Sequence, residues 1–230
     1  MVYPLIRGRE ISRWKGKSSI FIVLPQDRIK QREGITEATL SNKYPLTYQY
    51  LKYFENSLSN RADRKYYPEG SPFYTMRNVA NYTFAPYKVV WSEVGHNLEA
   101  AVISSHNNEQ LGEKIVVPDH TVVAVSLESE SEAHYICAVL NSTPAQFVIR
   151  GYVVLHPSPH VLKNISIPKY NEANESHVNL SQLSKTCHEN IAAGIDITDS
   201  EEQIDELADE LWGLTKEDLK DIKDSLEELK

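Results

Sequence analysis

The sequence predicts an α+β protein: a mixed, mostly antiparallel sheet region with interspersed helices, closed by a C-terminal helical tail. Three observations carry this. Short apolar runs bounded by breaking residues recur between Ile20 and Val125. Segments with apolar residues three or four apart lie among and after those runs. The last part of the chain, 171–230, is acidic and helical in its spacing.

Taken in order, Ile20-Phe21-Ile22-Val23-Leu24, ending at Pro25, reads as a buried strand. Gln26 to Lys43 is a polar loop with a short helical piece. Tyr44-Pro45 opens a helix that should run to about Asn60, proline being well placed in a first turn, with Leu46, Tyr50, Tyr53/Phe54 and Leu58 on its apolar face. Tyr66 to Tyr74 is a loop rich in proline and aromatic residues. Strands follow at Lys88–Trp91, Ala100–Ser104, Lys114–Val117 and Thr121–Val125, the last two separated by the turn Pro118-Asp119-His120. Glu128–Glu132 reads as an acidic loop, Ala133–Leu140 as a helix ending near Asn141, and Thr143–Arg150 as the start of another. Gly151–Pro168 reads as mostly extended, its three prolines excluding a central strand or helix. Asn171–Asn179 reads as a linker and Leu180–Ala193 as a helix ending at Gly194. In the tail, Asp199 or Ser200 caps a helix carrying Ile204, Leu207, Ala208 and Leu211, stopped at Gly213. Thr215-Lys216-Glu217-Asp218 opens another with Leu219, Ile222 and Leu226. The organisation expected is a domain over 1–170 with an acidic helical extension over 171–230 packing on it.

Charge is distributed unevenly. Residues 1–100 carry 15 Lys+Arg against 9 Asp+Glu, whereas residues 171–230 carry 5 against 17, within a total of −8. A basic front suits a polyanion and an acidic tail does not. Thirteen tyrosines against five phenylalanines favour contact surfaces with an apolar body and a polar tip. Cys137 and Cys187 are far apart, in no metal-type spacing. No membrane-length apolar run or signal peptide is present, so a cytoplasmic location and no membrane partner are expected.

No catalytic constellation is visible: there is no Walker loop, dinucleotide glycine motif, HExxH or GxSxG. His156 and His160 are four apart, but Pro157 and Pro159 forbid the helix that would aim both rings at one metal. The expected activity is binding. Around Gly8, Arg7, Arg9 and Arg13 offer permanently charged forks suited to phosphate or to a guanine edge, with Lys15 and Lys17 beside them. A solvated loop is the plain alternative. Arg61, Arg64, Lys65 and Arg77 form a second basic group; a helix C-terminus suits cations through its dipole and is the structural alternative for the first three. Base contact is sought at Tyr74, Arg77, Asn78, Asn81 and the His156–His160 loop, since loops on a rigid scaffold usually carry binding.

Several segments in order resemble a known family: PLIRGREISRW, YPLTYQYLKYFENSLSNRADRK, FYTMRN, YKVVWSEVG, VVPDHTVVAV, YICAVLNSTPAQFVI, LKNISIPKYN and ELADELWGLTKEDL. Together they resemble the C-terminal target-recognition (specificity) domain of Taq-like and fused adenine-specific DNA methyltransferases of restriction–modification systems. In this resemblance Arg7-Gly8-Arg9-Glu10-Ile11 matches the motif at the head of the domain, and Arg13-Trp14 its basic–aromatic pair. Arg61 matches the arginine ending a helix, and Lys88-Val89-Val90-Trp91 a strand. Asn141-Ser142 and Ile165–Pro168 match structural closing motifs. The resemblance implies sequence-specific binding of double-stranded DNA, in phage defence, on behalf of an upstream methyltransferase domain. That domain would hold S-adenosylmethionine and an (N/D)PP(Y/F) adenine site. Neither motif is in the sequence, so no cofactor is expected in this chain, which is expected to be a fragment and not an enzyme alone. Alternatives are a half-sized specificity subunit acting in trans, and a protein-interaction module using the acidic tail.

Overall fold

The computed structural model describes residues 1–27, 30, 33–95, 97–152 and 157–228. Its strands are β1 (Val2–Ile6), β2 (Ile11–Ser12), β3 (Lys15–Gly16), β4 (Ile20–Val23), β5 (Tyr87–Ser92), β6 (Ala101–Ile103), β7 (Ser105–Asn108), β8 (Gly112–Ile115), β9 (Val117–Pro118) and β10 (Val122–Leu127). Its α-helices are α1 (Glu37–Lys43), α2 (Pro45–Tyr53), α3 (Glu55–Ser59), α4 (Glu130–Asn141), α5 (Thr143–Tyr152), α6 (Glu175–Ala193), α7 (Thr198–Trp212) and α8 (Lys216–Glu228). The α+β class is what the sequence predicts.

The chain divides into two units, one made of Met1–Tyr3 with Phe21–Phe84 and the other of Pro4–Ile20 with Ala85–Lys230. The tail therefore belongs to the same unit as 85–170, and no unit boundary falls near residue 170.

In the larger unit, β5 lies between β10 and β6, antiparallel to both, with Trp91 opposite Val123 and Val89 opposite Val102 and Val125. The remaining paired strands of this unit include β1 beside β9 in parallel, Leu5 opposite Val117, and the β7–β8 hairpin. Both faces of β5 are covered. Val89 and Trp91 enter the main core with Leu98, Tyr135, Leu140 and Leu180, while Val90 enters a second cluster with Ile6, Ala101, Ile103 and Val116. This explains the continuous apolar run in that strand. Trp91 Nε1 donates to Pro157 O at 2.6 Å. Lys88 is fully buried; its Nζ donates to Ala85 O at 2.7 Å and Val116 O at 3.2 Å, and burial pulls its pKa down to about 8.

Helix α4 packs on this sheet, α6 lies along α4, and α7 packs against α6. Four boundaries differ from expectation. The helix α4 begins at Glu130, not Ala133, because Ser129 Oγ accepts from Glu132 N at 3.3 Å and turns the acidic stretch into a first turn. Asn174 Oδ1 caps α6 in the same way, so half of the expected linker is helix. Pro159–Asn164 is a 3-10 helix with Pro159 in its first turn, correcting the extended reading of that segment; Val153–Leu155 lie outside the described residues. The tail helix α7 starts at Thr198, with Asp196 Oδ1 accepting from Thr198 N and Oγ1. Gly194 and Gly213 take the left-handed conformation at their helix ends, with φ of 72° and 67°. Ile204 and Ala208 are buried, and Leu207 and Leu211 pack against the same core. The apolar faces of the tail thus complete the core of their own unit.

In the smaller unit, Leu40, Leu51, Phe73 and Tyr74 form the core, with Met1, Val23, Ile35, Tyr48 and Leu58 against it. The expected helix from Pro45 to Asn60 is interrupted at Phe54, which leaves helical geometry between α2 and α3. The apolar face is only partly the one expected, Leu58 alone of the expected residues being covered. Tyr48, Leu51 and Leu58 turn inward, whereas Leu46 is 79% and Tyr53 84% exposed, with Tyr44, Tyr50 and Phe54 exposed beside them. Two overlapping helical stripes run through this segment, and only the core decides which one is covered. The strand β4 forms as predicted but is not buried throughout: Phe21 is 48% exposed.

Candidate nucleic-acid interface

The expected basic residues separate into those that hold the fold and those left free. At the head of the chain, Arg7 donates from Nη2 to Glu10 Oε1 at 2.7 Å and from its backbone N to Oε2 at 2.9 Å. The guanidinium, followed by the Ser19 hydroxyl, holds the Glu10 carboxyl down at about 2. Gly8 N donates to Thr121 Oγ1 at 2.8 Å, and a Cβ on Gly8 would lie 2.7 Å from Thr121 O and Ser92 Oγ. The glycine therefore permits close approach to the protein's own scaffold. Arg13 places Nε 2.6 Å from Glu201 Oε1 and donates from Nη2 to Asn141 O at 2.8 Å.

Trp14 sits in the two-residue turn between β2 and β3 with a φ of 61°, a conformation unusual for a bulky residue. Its ring is 1% exposed and its Nε1 donates to Glu201 Oε1 at 2.7 Å, so buried contacts impose the backbone. The hairpin is thereby anchored at its tip. Arg9, Lys15 and Lys17 are exposed, and among the described residues none of their side chains has a hydrogen-bond or ion-pair partner. These three are the part of the head group available to an anion.

The second group, in the smaller unit, divides the same way. Arg61 donates from Nε to Leu58 O at 3.0 Å, at the end of α3, and from Nη2 to Thr75 O at 2.6 Å and Phe73 O at 3.3 Å. Arg64 donates to Pro72 O at 3.0 Å and Ser71 O at 2.9 Å. Both forks fasten the 71–76 loop. Tyr74, expected to face bases, is 1% exposed and donates its hydroxyl to Ile35 O at 2.5 Å; its ring is core, not surface. Burial raises its pKa.

Beyond the fastened loop the chain is open. Arg77, Asn78 and Asn81 are exposed, as are Lys65 and Tyr66. The Arg77 guanidinium lies 4.4 Å from the centroid of the Tyr66 ring and Lys65 Nζ 5.1 Å from it. Tyr66, at 60% exposure, is not among the expected site residues; Lys65 precedes it in the chain, but the proximity of the ring to Arg77 is a tertiary fact with no mark in the spacing. His160 is exposed on the 3-10 helix, and His156 lies outside the described residues. Among the described residues no group of acidic, histidine and cysteine side chains has metal-ligand geometry, and no helix is long and apolar enough to cross a membrane.

The larger unit also holds an open cleft of about 350 Å³ whose lining includes Arg13, Asn97, Glu99, Arg150, Lys223 and Leu226.

No family model matches the chain. A curated protein is similar: type II methyltransferase M.NspV of Nostoc sp. (strain ATCC 29411 / PCC 7524), 29% identical over 145 residues. The likeness covers 63% of this chain and 28% of that protein, so the matched stretch spans under a third of the methyltransferase. The chain is related to a type II methyltransferase.

Proposed function

We propose that this chain is the DNA target-recognition part of an adenine-specific methyltransferase of a restriction–modification system, acting on double-stranded DNA beside an upstream methyltransferase domain. The observation that carries this reading is the likeness to M.NspV, whose length the matched stretch covers only to 28%, together with resemblance to the specificity domain. Exposed cations, an aromatic ring and two amides support it: Arg9, Lys15 and Lys17 on one unit, and Lys65, Tyr66, Arg77, Asn78 and Asn81 on the other. In this reading the hairpin cations grip phosphate, setting orientation, and the loop after residue 76 meets base edges. S-adenosylmethionine and the adenine pocket are assigned to the upstream domain, and the chain by itself transfers no methyl group.

The test is duplex binding by the 230-residue chain across a salt series. Affinity should fall steeply with salt, and Arg9→Ala, Lys15→Ala and Lys17→Ala should each flatten the log–log slope by about 0.9 per lost phosphate contact without changing the melting temperature. Absence of salt-dependent binding to any duplex, while the full-length enzyme binds, would overturn the reading.

A further inference from the structure

We infer that Arg77, held against Tyr66, reads a guanine in the major groove, and that Arg61 and Arg64 are the positioning residues that aim it. This rests on the recognition reading above and deepens it by naming one chemical feature of the substrate: a guanine edge in a DNA duplex.

The chain is immobilised on both sides of Arg77. Arg61 and Arg64 direct their forks to the carbonyls of Ser71, Pro72, Phe73 and Thr75. Met76 is fixed through both backbone groups, its N donating to Gln26 Oε1 at 3.0 Å and its O accepting from Gln26 Nε2 at 3.4 Å. After Arg77, the Tyr82 hydroxyl donates to Asn78 O, and Ala80 N donates to Thr83 Oγ1 at 3.1 Å. Asn78 itself takes a φ of 58°, which the αL-tolerant asparagine accepts and which turns the chain sharply after Arg77.

Within this clamped segment Arg77 is exposed, and among the described residues no acceptor takes its N–H groups. Its guanidinium lies 4.4 Å from the Tyr66 centroid, so the ring restrains its position while its donors stay free. That arrangement suits guanine, which offers O6 and N7 to a bidentate fork in one plane. Phosphate also takes a fork, but nothing in phosphate contact requires so much fixing of the backbone on both sides. Lys65, 5.1 Å from the other partner of the pile, adds a point charge suited to the adjoining backbone.

The test selects bound sequences from a random duplex pool with the 230-residue chain, the Arg77→Ala variant and the Arg77→Lys variant. The wild type should recover a motif with a guanine discriminated about 5- to 150-fold at one position. Both variants should lose preference there alone, with other positions kept. Equal melting temperatures serve as the folding check, since Arg77 and the Tyr66 ring beside it are both exposed. A motif unchanged in Arg77→Ala overturns the inference. So does a uniform loss of affinity in Arg77→Ala that Arg77→Lys restores, because that marks a phosphate contact. Both results leave the recognition reading standing. A wild-type chain that binds no duplex at any salt removes the recognition reading itself, and the inference with it.

Discussion

The smaller unit has 67 residues, nine Lys+Arg against six Asp+Glu, and nine of the thirteen tyrosines. The larger has 163 residues and a balance of fifteen against twenty-six. The larger unit spends its rings and polar groups inward: Trp14, Trp91 and Tyr135 are buried, and Asn141 exchanges two hydrogen bonds with the Ala100 backbone at 2.8 and 2.9 Å. The smaller unit has a thin core and leaves Tyr44, Leu46, Tyr50, Tyr53, Phe54, Tyr66 and Tyr82 exposed. The contrast shows that total charge is a poor guide here. A net −8 chain contains a basic, aromatic unit of the composition that nucleic-acid surfaces use, alongside an acidic unit built as scaffold.

The largest effect that would sharpen this contrast is expected at Ile204, which is 1% exposed in the core of the larger unit. Ile204→Ala should cost about 2–5 kcal/mol in urea unfolding through the lost burial and the cavity left behind. A loss under about 0.5 kcal/mol would mean that the tail is not integral to that core.

Next in size is Arg61. Arg61→Ala removes charged donors from three carbonyls and should cost about 1.5–3 kcal/mol, with hydrogen-exchange protection lost around residues 71–76. The salt dependence of duplex binding should keep its slope. A flattened slope with unchanged stability would instead make Arg61 a phosphate contact and erase the division drawn between clamping and free arginines.

The most gradual effect is in pH. His134 is buried, with Nδ1 3.0 Å from Ser184 Oγ, and burial followed by the charges of His188 and Lys185 pulls its pKa down to about 3. Between the ordinary histidine value near 6.5 and about 3, the unfolded chain carries a proton here that the folded chain does not. Stability of the larger unit should therefore fall as pH drops through that window, by up to about 1.4 kcal/mol per pH unit from this group. Below about pH 4.5 the ionised Glu10, held down at about 2, adds loss of the same sign. The difference in unfolding free energy between wild type and His134→Gln, followed from pH 7 to 4, isolates the histidine. A difference independent of pH would place His134 in a less enclosed setting.

Much of the fold was legible in the sequence because local rules and tertiary demands agree there. Pro144 in the first turn of α5, Gly194 and Gly213 at helix ends, and Thr215 with Asp218 opening α8 each act through neighbouring backbone groups, so the signal is local. The Lys88–Trp91 strand was legible because apolar residues with β-branching sit beside Pro86. What required the tertiary structure was choice among equivalent candidates. Arg7, Arg9 and Arg13 are alike in sequence, and only Glu10 and Glu201 decide which forks are occupied. Tyr66 and Tyr74 flank one loop, yet one ring is 60% exposed and the other 1%. Side-chain type fixes what a residue is able to do. Which residues remain free to do it depends on partners distant in the chain, and no periodicity or spacing encodes those.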